Sequence, residues 1–291
     1  MEGPAAITRA AKTRGLQDVI GSIGAWFRSD AARVAKKKRG DRLVSRHVSG
    51  QTGADDRGWH GARQPACRGS SEREVTAPGA RGKLRAMAAP AIDWAPALAH
   101  LRGADAKLVP VIARHGAPTI QPEKNAVYAL ARAIVSQQLS GQAAATIFAR
   151  FLALYPDGAF PTPAALLATE DAALRGVGLS GAKAAAIKDL ARHVVERKLV
   201  PGELPKATDA EVAALLLPVR GIGPWSVDMF LMFALARPDV LPVGDLGIKK
   251  GMQRHFGLRK LPEAERMTKL AAPWRPFRSV AAWYMWRILE T

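Results

Sequence analysis

From residue 93 onward, apolar positions recur at helical spacing along nearly the whole chain. Ala126–Gln137 carries one such stripe, and Ser140 offers a cap for a second helix running to Tyr155. A short helical stretch over Asp171–Leu174 and a longer one from about Ala182 to Lys198 follow. Thr208 and Glu211 form a capping-box pair that opens the next helix. Pro224 suits a first helical position, and the helix it begins runs to Ala236, where Arg237-Pro238 closes it. Leu246–Phe256, Glu263–Leu270 and Ser279–Glu290 complete the series. Alternating, β-branched stretches are missing apart from a weak one near Val109–Ile112, which predicts at most a minor strand. The expected fold class is mainly α.

Residues 1–86 break this pattern. They are rich in Arg, Gly and Ser, hold one short apolar patch around Val19–Phe27, and carry 18 Lys+Arg against 8 Asp+Glu. Such a segment cannot bury enough apolar surface to offset its ordering entropy, so a disordered basic extension is expected over 1–86 and a folded domain over 87–291. Met87 opens the patterned part, which makes the extension a candidate product of a misassigned start. Lys36-Lys37-Lys38-Arg39 reads equally as a nuclear localisation signal, a DNA-binding arm or an incidental basic run.

Composition narrows the partners. The 291 residues carry a net charge of +18, the footprint of a polyanion binder, and this length with 48% hydrophobic content is enough for one or two packed domains. No run approaches the roughly 18 apolar residues of a spanning helix, so no membrane partner is expected. Cys67 is the only cysteine, which rules out a disulfide framework and a multi-cysteine metal site, and it fits reducing surroundings.

The candidate chemistry lies in LPVRGIGPWSVDMF (Leu217–Phe230) and in Asp245, 22 positions beyond Gly223. Gly221 and Gly223 bracket one apolar residue between two helices, so the turn is tight and its backbone bare. Its N–H groups, at the positive end of the next helix, make a phosphate site from main chain alone. Taken singly, the glycine turn is as readily an ordinary interhelical turn, and Asp245 more readily an N-cap than a catalytic group. Together, on a basic chain, they point to chemistry at a nucleic-acid backbone. GVGLSGAK (Gly176–Lys183) is a weaker echo of the same turn, read more readily as a plain connection.

These residues resemble the helix-hairpin-helix, Gly/Pro-rich, aspartate DNA glycosylases. AIVSQQLSGQAA (Ala133–Ala144) and WRPFRSVAAWYMWRIL (Trp274–Leu289) are similar to segments of the 3-methyladenine DNA glycosylase II branch. The resemblance covers about 93–291 and implies a two-lobed helical fold and excision of alkylated purines from double-stranded DNA by a monomer. It makes Asp245 the catalytic carboxylate. It assigns DNA contacts to Gly221, Ile222, Gly223, Trp225 and Ser226, with Gln138 or Leu139 as the wedge that fills the hole left by a flipped base. It assigns the base pocket to Trp225, Met229 and Trp286, with Tyr284 and Trp283 as weaker candidates. Met229 stands where relatives have an aromatic residue. Trp274 and Trp283 read as core, and His255 as packed rather than catalytic.

No cofactor is required by this reading; a structural alkali-metal ion on the carbonyls of Leu217, Val219 and Ile222 is implied by the family alone. The four C-terminal cysteines of the iron–sulfur branches are missing, so no such cluster is expected. The Schiff-base lysine of the lyase branch is replaced by Trp225, which implies a monofunctional enzyme. A non-catalytic helix-hairpin-helix module and a bifunctional glycosylase/lyase are the competing readings. The setting implied is cytoplasm or nucleoid in a bacterium, nucleus in a eukaryote.

Overall fold

The computed structural model describes residues 92–290, and the extension expected over 1–86 lies outside them. The described residues form helices and turns with no strand. The chain opens with α1 (Ala95–Ala104) and α2 (Val109–His115). A minor strand near Val109–Ile112 is therefore incorrect. Pro110 sits in the first turn of α2, where a missing N–H is harmless, and Leu108 and Ile112 are both buried one helical turn apart.

A middle group follows: α3 (Ala126–Ser136), α4 (Gly141–Leu152), α5 (Pro163–Ala168), α6 (Asp171–Gly176) and α7 (Gly181–Val195). Asn125, Ser140, Thr162 and Ser180 each cap the helix that follows through a side-chain oxygen. α7 packs on α3, α5 and α6, and α3 packs on α4. α8 (Asp209–Leu216) begins with the expected capping box, since Glu211 accepts from the Thr208 N–H at 2.7 Å while Thr208 Oγ1 accepts from the Glu211 N–H at 3.3 Å.

α9 (Pro224–Met229) continues as a π-helical turn over Phe230–Ala234, all five residues of which are buried. Then come α10 (Leu246–Phe256), α11 (Ala264–Leu270) and α12 (Arg278–Ile288). Gly257 ends α10 in the left-handed region, φ 68°.

The two ends of the described chain share one lobe. α12 lies along α10 and also touches α2, while α1 packs on α2 and on the Ala272–Trp274 turn. Asp105, just after α1, accepts from His255 Nε2 at 2.7 Å and from Trp274 Nε1 at 3.0 Å, which pins the first helices to the last. Tyr284 donates to the Gly116 carbonyl at 2.6 Å, and burial raises its phenol to about 12. α3–α7 form the second lobe. The α8–α9 connection and the π-helical turn, which packs on α3, lie where the chain passes from one lobe to the other.

Candidate active site

The connection between α8 and α9 is a hairpin turn. Gly221 takes φ +79°, and a Cβ there would sit 3.0 Å from Ala186 Cβ on α7, so only glycine meets both demands. α7 also takes the Arg220 N–H, which donates to Asp189 Oδ2 at 2.9 Å. Ile222 donates back to the Val219 carbonyl at 3.1 Å, so this N–H is spent inside the turn and is not among the free donors. The N–H groups of Gly221 and Gly223 have no acceptor among the described residues. They stand just ahead of Pro224, the first residue of α9. Backbone donors at the positive end of a helix suit an anionic oxygen.

Asp245 takes the capping position that its sequence context offers. It is the N-cap of α10, with Oδ1 accepting from the Ile248 N–H at 2.8 Å. The same oxygen accepts from Trp286 Nε1 at 2.9 Å, and Oδ2 accepts from Trp225 Nε1 at 2.8 Å. The residue is 5% exposed. A carboxylate withdrawn from water is costly unless hydrogen-bonded, and here three donors from α9, α10 and α12 offset that cost and fix its orientation.

Two glycines bring the third donor into place. A Cβ on Gly247 would lie 2.8 Å from the Trp286 indole, and a Cβ on Gly251 would lie 2.2 Å from the Met285 carbonyl oxygen. They are one helical turn apart on α10, so α12 can approach its backbone closely enough for Trp286 to reach Asp245. Sequence reasoning passed over both; the G-x-x-x-G spacing after an N-cap was the available signal.

Of the three pocket candidates, Trp225 is half-buried, whereas Met229 and Trp286 are buried at 4% and 2% exposure. Trp286 stacks on Phe233 of the π-helical turn, ring centres 5.8 Å apart. Tyr284 and Trp283 are buried, with Arg287 over the Trp283 ring at 4.6 Å, so both belong to the α12 core with Trp274. His255, engaged by Asp105, is structural.

A second carboxyl was also missed. Asp228 follows Trp225 by three positions on α9 and so shares its face. Burial, and secondarily the charge of Asp245, raise it from 3.8 to about 6. Its spacing in GPWSVD was the only clue in the sequence.

The candidate wedge residues fall in the turn between α3 and α4. Gln138 is exposed at φ 57° and Leu139 is half-buried. The preceding Gln137 donates through Nε2 to the Gly221 carbonyl at 2.8 Å and to Ser226 Oγ at 3.3 Å, so the turn abuts the hairpin. Ser226 itself is buried. The carbonyls of Leu217 and Ile222 accept nothing from the described residues, and that of Val219 accepts one N–H, which leaves lone pairs suited to a hard alkali ion. No cluster of three or more His, Cys, Asp or Glu is placed to hold a metal among the described residues. None of their helices is long and apolar enough to cross a membrane.

Residues 131–276 match the model of the HhH-GPD superfamily base excision DNA repair proteins. DNA-3-methyladenine glycosylase 1 of Schizosaccharomyces pombe is 34% identical over 193 residues, 65% of this chain and 84% of its own length. DNA-3-methyladenine glycosylase 2 of Escherichia coli is 30% identical over 166 residues, 53% of this chain and 55% of its own. Among solved structures, a 3-methyladenine DNA glycosylase from S. pombe in complex with abasic DNA superposes with a TM-score of 0.61 at 33% identity, covering 66% of this chain and 95% of that one. With its hairpin turn, its capped aspartate and half its length inside the family match, the chain belongs to the HhH-GPD superfamily of base excision DNA repair proteins.

Proposed function

We propose that the protein is a monofunctional DNA glycosylase that flips N-alkylated purines out of duplex DNA and hydrolyses their bond to the sugar in base excision repair. The observation that carries this reading is the buried Asp245 carboxylate, held by three donors one loop beyond the hairpin. A base within the stack cannot present its glycosidic bond, so the nucleotide is rotated out. The free N–H groups of Gly221 and Gly223 hold a nearby phosphate, with Trp225 and Ser226 flanking them, and Gln138 or Leu139 fills the vacated space. The carbonyls of Leu217, Val219 and Ile222 would hold an alkali ion that stiffens this turn against the phosphate.

Trp225 spends its N–H edge on Asp245 and leaves its ring face for the base. Met229 and Trp286 back the same wall. An aromatic face attracts a cationic purine by about 0.5–2 kcal/mol. The C1′–N bond then breaks with its electron pair going to the base, which leaves as a neutral purine. Asp245 stabilises the positive charge left on the sugar and takes a proton from the water whose oxygen bonds to C1′.

Relatives named as 3-methyladenine DNA glycosylases support the alkylated-purine class. Against a lyase, the position of the Schiff-base lysine is Trp225, committed to Asp245. Against a non-catalytic DNA-binding module, a binding turn does not call for a buried carboxylate clamped by two indoles. A DNA substrate places the enzyme with the chromosome, in a nucleoid or a nucleus, where it acts as a monomer.

The test is parallel base release from duplexes carrying 7-methylguanine, 3-methyladenine, 1-methyladenine, ethenoadenine and hypoxanthine. Release of the cationic bases is expected to lead the series. Release of none by folded protein overturns the proposal.

A further inference from the structure

The echo turn Gly176–Lys183 connects α6 to α7. Lys183, in the first turn of α7, sends Nζ to the carbonyls of Val135 and Gln137, both at 2.7 Å. These are orphan acceptors at the C-terminal end of α3, where a cation also complements the helix dipole. Gln137 then extends its side chain the other way, to the Gly221 carbonyl of the hairpin. The next residue, Gln138, is exposed and held at φ 57°, a conformation disfavoured for a side-chain-bearing residue unless its surroundings impose it. Ser140 closes the turn by capping α4. Two elements distant in sequence, α7 and the hairpin, thus converge on Val135 and Gln137 just ahead of the exposed turn. Burial lowers the Lys183 ammonium, which is consistent with its removal from bulk water.

We propose that Lys183 and Gln137 form a brace that presets the Gln138–Leu139 turn against the hairpin, which makes them positioning residues for nucleotide flipping and not for hydrolysis. The proposal rests on the glycosylase reading. Flipping a paired base requires the wedge and the phosphate grip to act at a fixed separation, since the duplex must be opened as the backbone is held. A lesion that is already unpaired does not need that coordination. Gln137→Glu keeps size but removes the donor to Gly221, and Lys183→Met keeps the stem but removes the cation.

The experiment is single-turnover release of 7-methylguanine from a duplex with the lesion opposite cytosine, and from the same sequence with the lesion unpaired in a single-base bulge. Each variant is expected to slow the paired substrate by about 10- to 100-fold, the scale of a misplaced group, and the bulged one by less than about threefold. A purely structural role lowers both rates together, so an unchanged ratio overturns the brace, as does an unchanged paired rate. Gln137→Glu, at a half-buried position, keeps the test open if Lys183→Met does not fold.

Fluorescence of 2-aminopurine at the flipping position, with DNA bound, reads the same step without hydrolysis. Wild-type protein that unstacks the probe but releases no base sinks the glycosylase reading alone. Variants that unstack it as well as wild type sink the brace.

Discussion

The hairpin and the α10–α12 contact both depend on glycine, with a backbone angle added to the demand for space at the hairpin alone. At the hairpin, Gly221 supplies a backbone angle, φ +79°, that other residues resist. On α10, Gly247 and Gly251 are ordinary helical residues whose value is the volume they lack, because Trp286 and the Met285 carbonyl occupy the space of their Cβ atoms. The first kind of glycine shapes the surface proposed to meet the DNA backbone. The second lets two helices approach until an indole from one reaches a carboxylate capping the other. The proposed site can thus be damaged at the turn itself or at a packing contact behind the carboxylate.

The largest effect is expected at the packing contact. Gly251→Ala must push α12 away from α10, which costs about 3 kcal/mol or more. Thermal unfolding should show this as a drop of several degrees, and an unchanged melting temperature would mean that the close approach is not needed.

Asp245→Asn separates chemistry from scaffold. Asparagine is as good an N-cap as aspartate, so α10 persists, and its amide nitrogen disturbs only one of the three donors. We expect base release to fall at least about 100-fold, close to 2.7 kcal/mol of lost transition-state stabilisation, while DNA binding holds. Near-normal release would remove Asp245 from the reaction.

At the hairpin, Gly221→Ala forces a left-handed angle on alanine and presses on Ala186, at a cost of about 1–2 kcal/mol. Affinity for undamaged duplex should weaken along with stability. If affinity is untouched, the turn is not a phosphate site, and the contrast between the two kinds of glycine collapses.

The smallest effect concerns Asp228. Its folded-state carboxyl is raised from 3.8 to about 6, so the fold binds its proton more tightly than the unfolded chain does. Below about pH 4 both states are protonated and nothing is lost. The penalty builds between about pH 4 and pH 6, and above pH 6 it is complete. Asp228→Asn should therefore stabilise the protein above pH 6, by about 1 kcal/mol after screening by solvent, and leave it unchanged near pH 4. Identical melting temperatures for the two proteins at pH 7.5 would show that no such burial acts on Asp228.

The helices were legible from residue spacing because helical hydrogen bonds and caps are local: Thr208 with Glu211, and Ser140 with Ala143, pair within one turn. One local reading failed where Val109–Ile112 suggested a strand, since four residues do not separate the two periodicities and Pro110 could open a helix. The hairpin was legible because Gly221 answers to backbone sterics, and Asp245 because a cap position follows from its neighbours. What no local pattern could tell is which long-range partners would arrive. Trp286 comes to Asp245 from 41 positions away, Lys183 to Val135 from 48, and Gln137 to Gly221 from 84. Their meeting depends on how closely α12 settles on α10 and α7 on α3, and close packing of helices sets those distances. The sequence by itself determined the helices, the bare-backbone turn and the capped carboxylate; only the tertiary structure decided that two indoles would clamp that carboxylate and that a lysine would brace the turn beside it.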